Sequence, residues 1–183
     1  EFNTVRRYQG QVDSPLTALG QTQATAIGRK LRGLTGGDIQ IFSSPLGRAQ
    51  QSAQLIAAEV GNPPIMLDPR LMEIGMGAWD GLDDIEIEAE YPGARDGLPA
   101  GEWFFHSPDG ESHATFSARL AAALADIARH PAPDKIIVSH GVAGRVLRSL
   151  HARLSHADAL GLPVPQDAFF ALHPDGGIEL IAS

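Results

Sequence analysis

Cysteine is absent from the 183 residues, which removes disulfides, thiolate nucleophiles and Cys-type zinc sites together and leaves the redox compartment undetermined. Basic residues are scarce. The 14 Lys and Arg against 22 Asp and Glu leave a formal charge of -8, so general nucleic-acid binding through phosphate neutralisation is not expected and only a local basic pocket stays open. No apolar run approaches the length of a membrane span, and the first residues lack the basic-then-apolar layout of a secretion signal. A cytoplasmic protein with no membrane partner is therefore expected. Internal repeats, charge blocks and low-complexity tracts are also missing. What remains, 43% hydrophobic and 20% charged residues, is the composition of an ordinary globular chain whose length fits a single domain over residues 1–183.

Hydrophobic periodicity predicts alternating helices and strands. Ala24, Ile27, Leu31 and Leu34 recur at helical steps behind Thr17 as N-cap, and Gly36-Gly37 ends the run. Asp38 to Phe42 reads as a strand that meets Ser43-Ser44-Pro45, with Ser44 as N-cap and Pro45 at the first position of a helix from about Leu46 to Val60. Ile65 to Leu67 is a further short strand, and Asp84 to Tyr91 a short helix. Ser112 opens a helix running to His130. The β-branched run Lys135-Ile136-Ile137-Val138 suits a strand buried on both faces of a parallel sheet, followed by a helix from Val142 to Leu154. Phe169 to Leu172 and Ile178 to Ile181, around Pro174-Asp175-Gly176-Gly177, form an antiparallel hairpin at the sheet edge. The expected fold is α/β, a three-layer sandwich with a mostly parallel sheet, helices on both faces and a C-terminal antiparallel hairpin.

In such a sheet ligands bind beyond the carboxyl ends of the strands. Two segments stand there, one placing Arg48 at a helix N-terminus and the other placing His140 at a second one. An Arg, a His and two helix N-termini together make an anion site. A surface arginine and a hydrogen-bonded core histidine are the plainer alternatives.

Glu1-Phe2-Asn3, Arg7-Tyr8-Gln9-Gly10, Asp13-Ser14-Pro15-Leu16-Thr17, Ser43-Ser44-Pro45-Leu46 with Arg48-Ala49, Leu71-Met72-Glu73-Ile74, Gly110-Glu111-Ser112 and Val138-Ser139-His140-Gly141 follow one another from Glu1 to about Arg148. In order and spacing this series resembles the histidine phosphatase superfamily, in its phosphoglycerate mutase-like branch. Members of that family carry an Arg-His-Gly-Glu motif, whose His accepts the phosphoryl group, a few residues before the equivalent of Asn3. The 183 residues contain no such motif, and Glu1 stands where a segment carrying it is expected to precede.

The resemblance implies phosphate or substrate contacts for Asn3, Gln9, Gly10 and the Gly141 amide, although Gln9-Gly10 is equally a plain turn. Phosphoryl transfer needs donors on the equatorial oxygens, an in-line nucleophile and an acid for the leaving alkoxide. Arg48 suits the clamp through its planar fork. His140, protonated, would add charge complementarity. Glu73, among Leu71, Met72 and Ile74, would be kept protonated by burial and serve as the acid, with a surface salt bridge as its alternative. Gly110-Glu111-Ser112 reads as mainly structural. Trp79, Trp103, Phe104 and Phe105 are either a lid over the substrate or core.

The expected function is hydrolysis of a small phosphomonoester through a phosphohistidine, with neither metal nor cofactor. Mutase-type phosphoryl transfer competes with it. It is less favoured because Glu73 is followed by Ile74-Gly75-Met76-Gly77-Ala78-Trp79-Asp80-Gly81, resembling phosphatase members, and Arg95 is the only basic residue between Arg70 and His106. A chain beginning at Glu1 would instead encode an inactive phosphate-binding module.

Overall fold

The computed structural model describes residues 7–99 and 101–183. Its centre is β1 (Ile39–Ser43), buried at every position. β1 runs parallel to β2 (Ile65–Leu67) on one side and to β3 (Asp134–Val138) on the other. The register pairs Ser43 with both Leu67 and Val138, so the three strands end level. Helix α2 (Gly47–Glu59) leaves β1 at that end, and the helix Gly141–Ala152 leaves β3 at the same end.

Side chains of β1 alternate between two cores, as the period of a strand demands. Ile39 and Ile41 pack with Ala53 and Ile56 of α2 and with Ile27 and Leu31 of α1 (Ala18–Arg32). Phe42 faces the opposite core, which holds Leu71, Ile74, Trp79 and Phe116. That face also receives α3 (Asp84–Glu90), α4 (His113–Arg129) and α5 (Gly141–Ala152). The result is the three-layer arrangement expected from the alternating pattern. Local caps explain most element starts. Thr17 accepts from the Gly20 amide, Ser112 from Thr115, and Asp83 forms a complete capping box with Glu86.

Three expectations need correction. Ser44 does not cap α2: Leu46 occupies that position, and the Ser44 hydroxyl turns toward β3's exit. The Ile136-Ile137 pair is only half-buried, because β3 has a single partner strand among the described residues. The hairpin of β4 (Ala168–Leu172) and β5 (Ile178–Ala182) forms a separate two-stranded sheet and pairs with no described strand of the main one. It is tied to the domain through Arg148 of α5, whose guanidinium stacks on the Phe170 ring at 3.8 Å and donates to Gly144 O and Pro163 O. A short helix, α6 (His156–Leu160), completes the chain's helices among the described residues. None of those helices is long and apolar enough to cross a membrane.

Candidate active site

The level ends of β1 and β3 bring two helix starts together. After β1 the ladder continues one residue, Ser44 donating its amide to Val138 O at 3.0 Å. The α2 start has no capping side chain of its own. Instead Asp13, from the segment before α1, accepts from the amides of Gly47 (2.6 Å) and Arg48 (3.2 Å). Against the upward push of burial, these amides and the Arg48 charge hold the Asp13 carboxyl below its ordinary range.

Arg48 is largely enclosed. Its Nη1 donates to Val12 O (2.8 Å) and Asp13 Oδ1 (3.3 Å), and its Nη2 to Gly10 O (2.8 Å). The guanidinium therefore grips the turn at residues 9–12, which is closed by the Val12 amide on Gln9 O. Among the described residues the Nε hydrogen and one on Nη2 remain as donors. Burial lowers the Arg48 pKa, while Glu73 and Asp13 oppose that shift. Gly10 has φ +47°, and a Cβ there would lie 1.6 Å from Asp80 Oδ1, so glycine is required on both counts. Gln9 accepts from the Ser14 hydroxyl at 3.2 Å. Gln9 and Gly10 thus lie in a turn braced by Arg48. Asn3 lies outside the described residues.

The α5 start is served by Glu73. Its Oε1 accepts from Ala143 (2.9 Å) and Ile74 (3.2 Å), and its Oε2 from Val142 (3.1 Å). Burial raises the Glu73 pKa despite these amides and the nearby Arg48 charge. Among the described residues these backbone amides, and no ion pair, are the partners of the Glu73 carboxyl. Oε2 carries one donor against two on Oε1, so it has the lone pair available for a proton. Gly141, first in α5, lies over the same carboxylate, its position for a Cβ being 3.8 Å from Oε2.

His140 precedes α5, and its Nε2 lies 2.7 Å from Ser44 Oγ. Desolvation, together with the Arg48 guanidinium, lowers its pKa to about 3. Both causes act against the charged imidazole, since a second cation beside Arg48 in a desolvated site is unfavourable. Ser44 Oγ also accepts from the Leu46 amide at 3.2 Å, so it can donate its own proton to Nε2, an arrangement that leaves the imidazole proton on Nδ1.

The aromatic segment resolves mainly as core. Trp79 is wholly buried and Phe104 nearly so, while Trp103 and Phe105 pack against the same cluster. His156 contacts Glu102 and His113, and among the described residues no cluster of His, Cys, Asp or Glu is arranged for an ion. Sequence reasoning missed Asp13 as the cap of α2, although it stands inside a motif, and Arg119 altogether. Arg119 carries no local signal, being one polar residue on an amphipathic helix.

Among the described residues the site brings together the Arg48 cation, the His140 imidazole and the Glu73 carboxyl with its raised pKa at two helix N-termini. The family model of the histidine phosphatase superfamily (branch 1) matches residues 1–178. "Probable phosphoglycerate mutase GpmB" of Enterobacter sp. (strain 638) is 42% identical over 144 residues, covering 78% of this chain and 66% of that protein. The chain thus spans just under two-thirds of that relative's length. The GpmB of Yersinia enterocolitica is 37% identical over 159 residues, 86% of this chain and 73% of that one. Among solved structures, a mycobacterial glucosyl-3-phosphoglycerate phosphatase in complex with VO3 superposes with a TM-score of 0.75 at 27% identity, over 99% of this chain and 91% of the other. The Shigella flexneri alpha-ribazole phosphatase, at 22% identity and a TM-score of 0.83 over 100% of this chain and 91% of its own, shares the fold.

Proposed function

The chain belongs to branch 1 of the histidine phosphatase superfamily, and on that premise we propose that it hydrolyses a small phosphomonoester through a phosphohistidine intermediate. In this reading the nucleophile is the histidine of the family's Arg-His-Gly-Glu motif, preceding Asn3. Its ring nitrogen attacks phosphorus, the bond to the leaving oxygen breaks, and Glu73 Oε2 gives its proton to that oxygen. Water then attacks the phosphohistidine, the phosphorus–nitrogen bond breaks, and the Glu73 carboxylate takes the water's proton. The two unengaged donors of Arg48, the Nδ1 hydrogen of His140 and the Gly141 amide bind the phosphoryl oxygens. This chemistry calls for no metal.

One observation carries the proposal: a carboxyl with a raised pKa held by α5 beside a histidine and an arginine. A group tuned this way is suited to donate a proton at neutral pH. The test is Glu73→Gln in the protein carrying the nucleophile segment, following phosphohistidine formation before steady state. A strong slowing with an alkyl phosphate and a far smaller one with p-nitrophenyl phosphate is expected, because phenolate leaves unaided. Equal slowing with both removes Glu73 as the acid.

Mutase-type transfer is the second reading, favoured by the 42% identity to a protein named as a phosphoglycerate mutase. Hydrolysis is placed first because the stretch Ile74-Gly75-Met76-Gly77-Ala78-Trp79-Asp80-Gly81 after Glu73 resembles phosphatase members and carries no basic residue for a second anionic group. Efficient conversion of 3-phosphoglycerate to 2-phosphoglycerate with a bisphosphate primer would reverse this order.

A further inference from the structure

Glu73 lies in an irregular stretch between two short 3-10 turns, Pro69–Leu71 and Gly77–Trp79. No regular element fixes its backbone, yet its carboxyl must meet the amides of α5. The backbone is fixed from α4 instead. Arg119 donates from Nη1 to Arg70 O (2.7 Å) and Met72 O (2.8 Å), and from Nη2 to Glu73 O (2.9 Å). The same guanidinium makes a two-point pair with Glu111, Nε to Oε1 and Nη2 to Oε2, both at 2.7 Å. Glu111 in turn takes the Gly75 amide on Oε2 (2.8 Å) and donates its own amide to Gly75 O (2.8 Å). Peptide groups on both sides of Glu73 are therefore held by one ion pair.

All five guanidinium hydrogens are committed, and both side chains are about four-fifths enclosed, with 18% and 21% exposure. Against burial, Arg119 and the Gly75 amide keep the Glu111 carboxyl below its ordinary range, so the pair stays charged at neutral pH. A lysine offers no fork able to reach three carbonyls and a carboxylate at once. Neither residue touches the Glu73 carboxyl itself, whose donors are backbone amides.

We propose that Arg119, locked by Glu111, is a positioning residue that sets where the Glu73 carboxyl delivers its proton. This rests on the reading of Glu73 as the acid. Misplacing a reacting group by about 1 Å costs on the order of 10² in rate, and the cost falls on the step that needs the proton.

The experiment compares Arg119→Gln, Glu111→Gln and Glu73→Gln in the protein carrying the nucleophile segment. Phosphohistidine formation is followed in single turnover with an alkyl phosphate and with p-nitrophenyl phosphate, alongside thermal unfolding. Arg119→Gln is expected to slow the alkyl reaction on the order of 10²-fold and to leave the p-nitrophenyl reaction within about threefold, since a good leaving group needs no acid. A merely structural role would lower both together through loss of folded protein. Equal slowing of both substrates, or of neither, overturns the proposal, provided Glu73→Gln discriminates between them. If Glu73→Gln does not discriminate, the reading of Glu73 fails and this proposal with it. Should Arg119→Gln not fold, Glu111→Gln decides: it keeps the volume and an acceptor for Gly75, and an alkyl-selective loss of about tenfold supports the proposal, whereas an unselective loss or none overturns it.

Discussion

Ser44 Oγ lies 2.7 Å from His140 Nε2, joining the first residue beyond β1 to the last residue before α5. The two are 96 positions apart in sequence, yet the equal length of β1 and β3 past their shared register makes them neighbours. With the Leu46 amide on one lone pair, the hydroxyl can donate to Nε2, which is the arrangement that keeps the imidazole proton on Nδ1.

Ser44→Ala removes that control while leaving the volume nearly unchanged. Turnover is expected to fall about three- to tenfold, the worth of one neutral hydrogen bond of roughly 0.5–1.5 kcal/mol. Nitrogen chemical shifts of His140 should show the proton redistributing between Nδ1 and Nε2. An unchanged tautomer would mean that Ser44 does not orient the ring.

Arg48→Lys keeps the charge but loses the fork. It cannot hold Gly10 O, Val12 O and Asp13 together and still present two donors to phosphate. We expect turnover to drop on the order of 10² or more, with weaker binding of inorganic phosphate by calorimetry. Near-normal activity would place the phosphate site elsewhere.

The low pKa of His140 makes a prediction about acid stability. Its folded pKa of about 3 lies below the model-peptide value of 6.5, so the unfolded chain binds the extra proton in that interval. Stability from this group is full above the upper value and is lost as pH falls toward the lower one. His140→Asn should flatten the fall of the thermal midpoint between those pH values. An identical pH profile in both proteins would show that the folded imidazole titrates normally.

Activity in the protein carrying the nucleophile segment is expected to survive EDTA. Arg48 supplies the fixed positive charge that a metal would otherwise place on the phosphoryl oxygens. Loss of turnover on chelation, with recovery on adding a divalent ion, would count against this.

The order of helices and strands was legible because each depends on neighbours within a few residues. Thr17 and Ser112 cap where the periodic pattern begins, and the apolar residues of α1 and α4 recur at helical steps. The run from Ile39 to Phe42 alternates between two cores, as its period implies. Arg48, Glu73 and His140 stood out in the sequence because the short stretches that hold them follow one another in the order and spacing of a family, although each stretch alone is a weak signal. The cap of α2 was misassigned for the complementary reason. Ser44-Pro45 is locally a good helix start, but Asp13, which lies more than thirty positions away, satisfies those amides instead.

Sequence alone thus determined the α/β class and the strand ends beyond which Arg48 and His140 stand, since patterning is a local property. Tertiary structure decided the rest: a His140 whose pKa is lowered by burial and Arg48, a Glu73 that caps α5, and an Arg119–Glu111 pair that holds Glu73's backbone. Protonation depends on burial and on charges brought near by folding. An amide's partner depends on which distant segment reaches it first. Neither is encoded within a window of neighbouring residues, because both are set by packing across the sheet.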